Sequence, residues 1–243
     1  MTTLICGSFA YDTIMVFDGK FKDHILPDRV HMLNVAFLVP ELQRNYGGTA
    51  GNIMYNMKLL GGDGLALGTV GADFGVYREW LKKHNINDKY VKTIESEYCA
   101  QAYITTDMED NQITAFHPGA MNHAHTQSVP TDEGIRMGII APDGRDGMIE
   151  HARQFADAGI PFLFDPGQGL PMFDGNDLKW FIEKATWVAV NDYEASMLEE
   201  KTGLSREQIG AQVEALIVTL GGDGSVIHAD EEVKIEPVKP AAI

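Results

Sequence analysis

The stretch Asn45-Tyr46-Gly47-Gly48-Thr49-Ala50-Gly51-Asn52 gathers glycines at the start of a segment whose apolar residues then recur at helical spacing. Ala50, Ile53, Met54, Met57 and Leu60 fall at i, i+3, i+4, i+7 and i+10, and Gly61-Gly62 supplies the stop. Glycine ahead of a helix lets the backbone approach a ligand closely, and the first helical N–H groups are free to bind oxygen. Asn52, in the first turn, can donate to one hydroxyl and accept from another. Such a set suits a polyol, although an ordinary loop-to-helix turn fits the same residues.

Three further groups carry chemistry. Asp12 follows the apolar run Leu4-Ile5-Cys6-Gly7-Ser8, and open α/β sheets bind ligands beyond the carboxyl ends of their strands. A carboxylate there can accept two sugar hydroxyls; locally it also reads as a cap on the turn before Thr13. Asn191-Asp192-Tyr193-Glu194 follows the apolar strand Trp187 to Val190. Asn191 and Glu194 share a helix face, a place for magnesium waters and phosphate oxygens, and they equally form an N-cap with its third-position partner. Val218-Thr219-Leu220-Gly221-Gly222-Asp223-Gly224-Ser225 runs a strand into a glycine turn. Backbone exposed at Gly221, Gly222 and Gly224, with the Thr219 hydroxyl, suits a nucleotide, while a hairpin to Val226-Ile227-His228 needs no ligand. No Gly-Lys-Ser/Thr occurs, and Gly222-Asp223-Gly224 lacks the third glycine of a dinucleotide fingerprint. His123-Ala124-His125 reads as exposed histidines on an extended face, Lys82-Lys83-His84 as a helix end, and Met54, Met57 and Met148 as core filler.

Elements that position these groups alternate along the chain. After the first strand, Thr13 to Val39 is β-like, with Val35, Phe37 and Val39 alternating. Leu65 to Val70 reads as a strand and Tyr77 to Lys83 as a helix. Ala100 to Thr106 and Gln112 to Phe116 flank a loop of hairpin length. From Gly138 onward strand and helix alternate: Gly138 to Ile140, Gly147 to Ala158, Pro161 to Phe164, Leu178 to Lys184, Trp187 to Val190 and Glu194 to Lys201. A helix over Glu207 to Leu216 and a strand over Ile217 to Leu220 complete the series. This rhythm implies βαβ units and a parallel sheet with helices on both faces.

The 243 residues suffice for a substantial core, and a net charge of -16 disfavours nucleic acid or an anionic membrane as partner. Cys6 and Cys99 lie outside any CxxC pattern, and no apolar run reaches membrane-spanning length. A cytoplasmic protein with reduced thiols is the expectation.

Asp12 after strand one, Gly47-Gly48 with Asn52, the Asn191/Glu194 pair and the Thr219-Gly221-Gly224 turn occur in that order across the whole chain. This arrangement resembles the ribokinase-like (PfkB) sugar and nucleoside kinases. Val70-Gly71-Ala72-Asp73-Phe74-Gly75 with Trp80-Leu81 looks like another segment of that family. Cys99 to Asp107 and Phe116-His117-Pro118-Gly119-Ala120-Met121 are most similar to the bacterial adenosine kinase branch. The resemblance implies a single three-layer α/β/α sandwich over 1–243, with a mostly parallel sheet and a small β-sheet lid from about 13–46 and 98–117. It implies an ATP- and Mg2+-dependent kinase acting on the 5′-hydroxymethyl of a nucleoside, most directly adenosine, with Ser8, Asp12, Gly47, Gly48, Asn52, Phe116 and Gln168 around the substrate. ATP would lie over Thr219, Gly221, Gly222 and Gly224, with Asn191 and Glu194 organising magnesium, Glu194 through water. Lids of this kind act alone or pair between subunits, so a monomer or a homodimer is expected.

One departure stands out. The family's Gly-x-Gly-Asp-like anion hole, whose Asp is the general base, would follow Val238-Lys239-Pro240-Ala241-Ala242-Ile243, where this sequence stops. The expectation is that the natural protein continues and that this piece transfers phosphate poorly. A furanose sugar kinase and a non-catalytic nucleoside-binding relative are the competing readings.

Overall fold

Leu4, Ile5 and Cys6 are all buried, and a strand apolar on both sides belongs inside a sheet covered on both faces. The computed structural model describes residues 2–25, 32 and 34–239; residues 26–31 and 33 of the expected lid, and Pro240 to Ile243, lie outside them. In it β1 (Thr2–Cys6) takes that interior position. It is flanked by β4 (Gly64–Gly71) and β8 (Ile135–Ile140) in a nine-stranded sheet. Outward from β4 lies β5 (Tyr90–Ile94). Outward from β8 come β9 (Phe162–Phe164), β10 (Trp187–Asn191) and β11 (Ala215–Thr219), all parallel to β1. An antiparallel hairpin, β12 (Ser225–His228) and β13 (Glu232–Ile235), closes that edge.

Alternation along β1 sends Leu4 into one core and Ile5 into another. Leu4 joins Met148 and Phe155 from α4 (Arg145–Asp157), Phe181 from α5 (Gly175–Lys184), Leu198 from α6 (Asp192–Thr202) and Ile209 from α7 (Arg206–Gly210). Ile5 joins Met54 from α2 (Thr49–Leu59) and Tyr77 and Leu81 from α3 (Gly75–Lys83). Helices therefore cover both faces, giving three layers. A separate four-stranded sheet forms the lid, in the order β3 (Glu41–Gly47), β2 (Ala10–Val16), β6 (Ala100–Thr106) and β7 (Gln112–His117). A short helix α1 (Phe21–His24) sits at its far end, where Phe17, Phe21 and Phe37 pack together. No helix among the described residues is long and apolar enough to cross a membrane.

Several boundaries differ from the sequence reading. Residues 34–39 are not a strand; β3 begins at Glu41, because its register against β2 pairs Glu41 with Val16 and Gly47 with Ala10. The helix expected over Glu207 to Leu216 stops at Gly210, since Leu216 and Val218 are recruited into β11 by pairing with Val188 and Val190. Sheet pairing there outweighs local period. Leu60 falls past the end of α2 and is 88% exposed, so it lies outside the buried face.

Candidate active site

The chain lays β1, β4 and β5 in one direction across the sheet, then returns to the other side of β1 for β8 to β11. That reversal makes the carboxyl ends of β1 and β8 a topological switch point, where such sheets open a crevice. Ser8 follows β1, Asp143 follows β8, Asp165 follows β9, and Asn191 and Thr219 end β10 and β11 as register partners. The candidate residues are thus laid out along one edge of the sheet.

A cavity of about 590 Å3 lies between this edge and the lid, within the size range of small-molecule sites. Ser8, Asp143 and Gln168 line it from the sheet, Gly48 and Asn52 from the start of α2, and Asp12 and Phe116 from the lid. Asp12 lies inside β2, opposite Asn45 and Ala102, so it is not a turn cap. Burial raises its carboxyl pKa. Phe116, on β7, pairs with Ala102 of β6 and is 52% exposed, so it is not lid core and offers its ring to the cavity.

Both glycines of the turn answer to close approach. Gly48 has φ +85°, and a Cβ there would stand 2.5 Å from the Ser8 carbonyl oxygen. Gly47 does not line the cavity; it lies behind Asp12, where a Cβ would strike the carboxylate. Thr49, which sequence reasoning missed, ties the walls together. Its hydroxyl donates to the Pro142 carbonyl at 2.8 Å and accepts from the Ser8 amide at 3.1 Å, while its own amide donates to Ser8 Oγ at 3.2 Å.

Two carboxylates were also missed. Asp143 is only 3% exposed, and its Oδ1 accepts from the Gly144 amide at 2.9 Å. Its Oδ2 has no partner among the described residues, and burial pushes its pKa up to about 7. Asp165 is raised to about 6 by burial and then by the nearby charge of Glu194. Asp165 directly follows β9 and Asp143 comes three residues after β8, both beyond apolar strands, the same signal that marked Asp12.

The remaining candidates form a second, open group outside the cavity. Asn191 Oδ1 accepts from the Glu194 amide at 2.7 Å, and Glu194 Oε2 accepts from the Asn191 amide at 2.8 Å. The capping reading of this pair therefore holds. Beyond β11, Gly221 and Gly224 take φ +57° and +87°, and the chain returns antiparallel in β12. The hairpin reading holds as well, and it leaves Thr219, Gly221 and Gly222 exposed. Mutually repelling carboxylates at Asp165 and Glu194 make a donor set that fits a hydrated divalent cation, which needs one or two carboxylates and keeps its waters. His123 and His125 lie in the 3-10 segment Gly119–Thr126 rather than on an extended face, with His123 Nε2 3.4 Å from Glu97.

This geometry can be set beside known proteins. A nucleoside kinase of Burkholderia thailandensis in complex with inosine is 47% identical, with a TM-score of 0.87 over 100% of this chain and 78% of that one. The same kinase in complex with ADP-inosine gives 49% identity and a TM-score of 0.84, over 100% and 76% of the two chains. A nucleoside kinase of Methanocaldococcus jannaschii is 30% identical over 213 residues, 86% of this chain and 70% of that protein. The pfkB family carbohydrate kinase model matches residues 12–243, and the chain belongs to this family of phosphotransferases with an alcohol group as acceptor.

Proposed function

We propose that the chain is an ATP-dependent nucleoside kinase that phosphorylates the 5′-hydroxymethyl of a purine nucleoside. The observation that carries this reading is the convergence of Asp12, Asn52, Phe116 and Gln168 on one cavity. The carboxylate and the amide supply an acceptor and a mixed donor–acceptor for the ribose hydroxyls. Phe116 offers a face for a base, and Gln168 an amide for its edge. Asp143, buried beneath the same cavity, is a further partner for a sugar or base polar group, because a ligand donor would satisfy its free oxygen. The names of the relatives support a nucleoside, and the inosine complex widens the acceptor from adenosine alone to purine nucleosides.

ATP is placed along the second group, over Thr219 and the Gly221 to Gly224 turn. Asp165 and Glu194 would hold hydrated Mg2+, which would supply charge neutralisation for the phosphates. Asn191 stays with the helix cap and positions Glu194. Lid and sheet together would keep water from the transferred phosphoryl group. The reaction belongs in the cytoplasm, consistent with two free buried thiols, as a step of purine salvage.

The test is turnover of the full-length protein with ATP and magnesium against adenosine, inosine, guanosine and ribose side by side. Purine nucleosides are expected to give the highest kcat/KM. Equal values for ribose and the nucleosides would remove the base pocket from the account.

A further inference from the structure

The glycine turn that carries Gly48 and Asn52 is gripped from behind by a residue outside the cavity. Tyr77 of α3 is 1% exposed, and its hydroxyl donates to the Gly47 carbonyl at 2.9 Å. The peptide joining Gly47 to Gly48 is trans, and a trans peptide points its N–H opposite to its C=O. Anchoring the carbonyl on the Tyr77 side therefore sends the Gly48 N–H to the opposite side of that peptide, and Gly48 lines the cavity. The Tyr77 hydroxyl also occupies the place a Cβ on Gly51 would need, one turn into α2. Its ring cannot drift, because it packs on Phe9, Tyr11, Tyr46 and Phe74 with centroids 4.8–5.8 Å apart. Tyr11 and Tyr46 are the immediate chain neighbours of Asp12 and Gly47.

We propose that Tyr77 is a positioning residue for the acceptor site: its hydroxyl sets the Gly47–Gly48 peptide, and the absent Cβ of Gly51 is the space that lets it do so. The proposal rests on the nucleoside reading above. It assigns Tyr77 to the geometry of the sugar cradle, with no contact to substrate. Burial, with Asp12 nearby, drives the phenol pKa up, so the hydroxyl remains a neutral donor across the working pH range.

Two variants test it. Tyr77→Phe keeps the ring and removes the hydroxyl; inosine affinity is expected to fall about five-fold, the weight of one neutral hydrogen bond, with affinity for ADP unchanged. A purely structural role would lower both together, or neither. In the free protein, amide exchange at Ala50 and Asn52 should quicken while β4 stays protected, a readout independent of any ligand. Gly51→Ala supplies the second arm. In the parent it should weaken inosine binding more than Tyr77→Phe does, because the methyl group expels the hydroxyl. In the Tyr77→Phe background it should cost less than about two-fold, since the space is then free. Equal costs of Gly51→Ala in both backgrounds, or unchanged inosine affinity and unchanged exchange in Tyr77→Phe, would overturn the proposal. Parent protein that binds ADP but no nucleoside would instead refute the acceptor reading, leaving the exchange result to judge Tyr77.

Discussion

The two ends of the site are built differently. At the end proposed for the acceptor, Ser8 and Asp143 are buried, Asp12 and Thr49 half-buried and Asn52 and Phe116 exposed, and Ser8, Thr49 and Pro142 hold one another through hydrogen bonds. At the end proposed for the phosphate donor, Thr219, Gly221 and Gly222 are exposed, and the Asn191/Glu194 pair is already satisfied as a helix cap. Burial makes a polar group such as Asp143 costly unless a ligand or neighbour satisfies it, so the end proposed for the acceptor should be the more selective one. The open end, in the proposed reading, would rely on backbone and a cation, which bind phosphate with little demand for particular side chains. Substitutions should therefore act strongly and specifically at the first end, and weakly at the second.

The largest expected effect concerns Asp143. Its pKa is raised from 3.8 to about 7 in the folded protein, so the folded state holds more protons than the unfolded state between those values. Stability then falls as pH rises across that window, by about 4 kcal/mol in all, and levels off above it. Asp143→Asn removes this loss, so the variant should melt above the parent at pH 8 and close to it at pH 4. Melting curves showing the parent more stable at pH 8 than the variant would contradict the burial argument. Asp165 titrates in the same sense up to about 6, so part of the slope survives in the variant.

Next comes Asp12→Ala, which removes a charged acceptor. It should weaken nucleoside binding by about 1.5–3 kcal/mol and leave nucleotide binding alone. An unchanged nucleoside affinity in calorimetric titration would remove Asp12 from the cradle. Phe116→Ala should weaken inosine binding by about 1–2 kcal/mol while leaving ribose binding unchanged, because only the base uses the ring. A loss shared equally by ribose would mean that Phe116 shapes the lid rather than the base pocket. The smallest effect is reserved for the open end. Asn191→Ala should lower stability by about 1 kcal/mol through the lost cap, with nucleoside affinity intact. A nucleoside defect there would erase the distinction between the two ends.

The sequence made much of this legible because the signals were local. Alternating strands and helices, the Ala100 to Phe116 hairpin and the Gly48 entry into α2 are written in short-range pattern and appear as expected. Asp12 and Asn52 stood out by residue type, and both reach the cavity, although Asp12 lies within β2 and Asn52 in the first turn of α2 rather than at a strand end. What stayed hidden depends on tertiary contact. Asp143 looks like an ordinary turn residue until burial isolates its oxygen. The partnership of Tyr77 with Gly51 spans 26 positions and leaves no periodic trace. Val35, Phe37 and Val39 alternate like a strand, but Phe37 is taken up by an aromatic cluster at the end of the lid, where no strand among the described residues pairs with it.

Whether one carboxylate and one amide meet on the same vicinal diol is best answered by a crystal structure of the protein soaked with inosine. The account predicts the ribose 2′- and 3′-hydroxyls within hydrogen-bonding distance of Asp12 and Asn52, with the base against Phe116. Inosine lodged elsewhere, or a ribose held without Asp12, would contradict it.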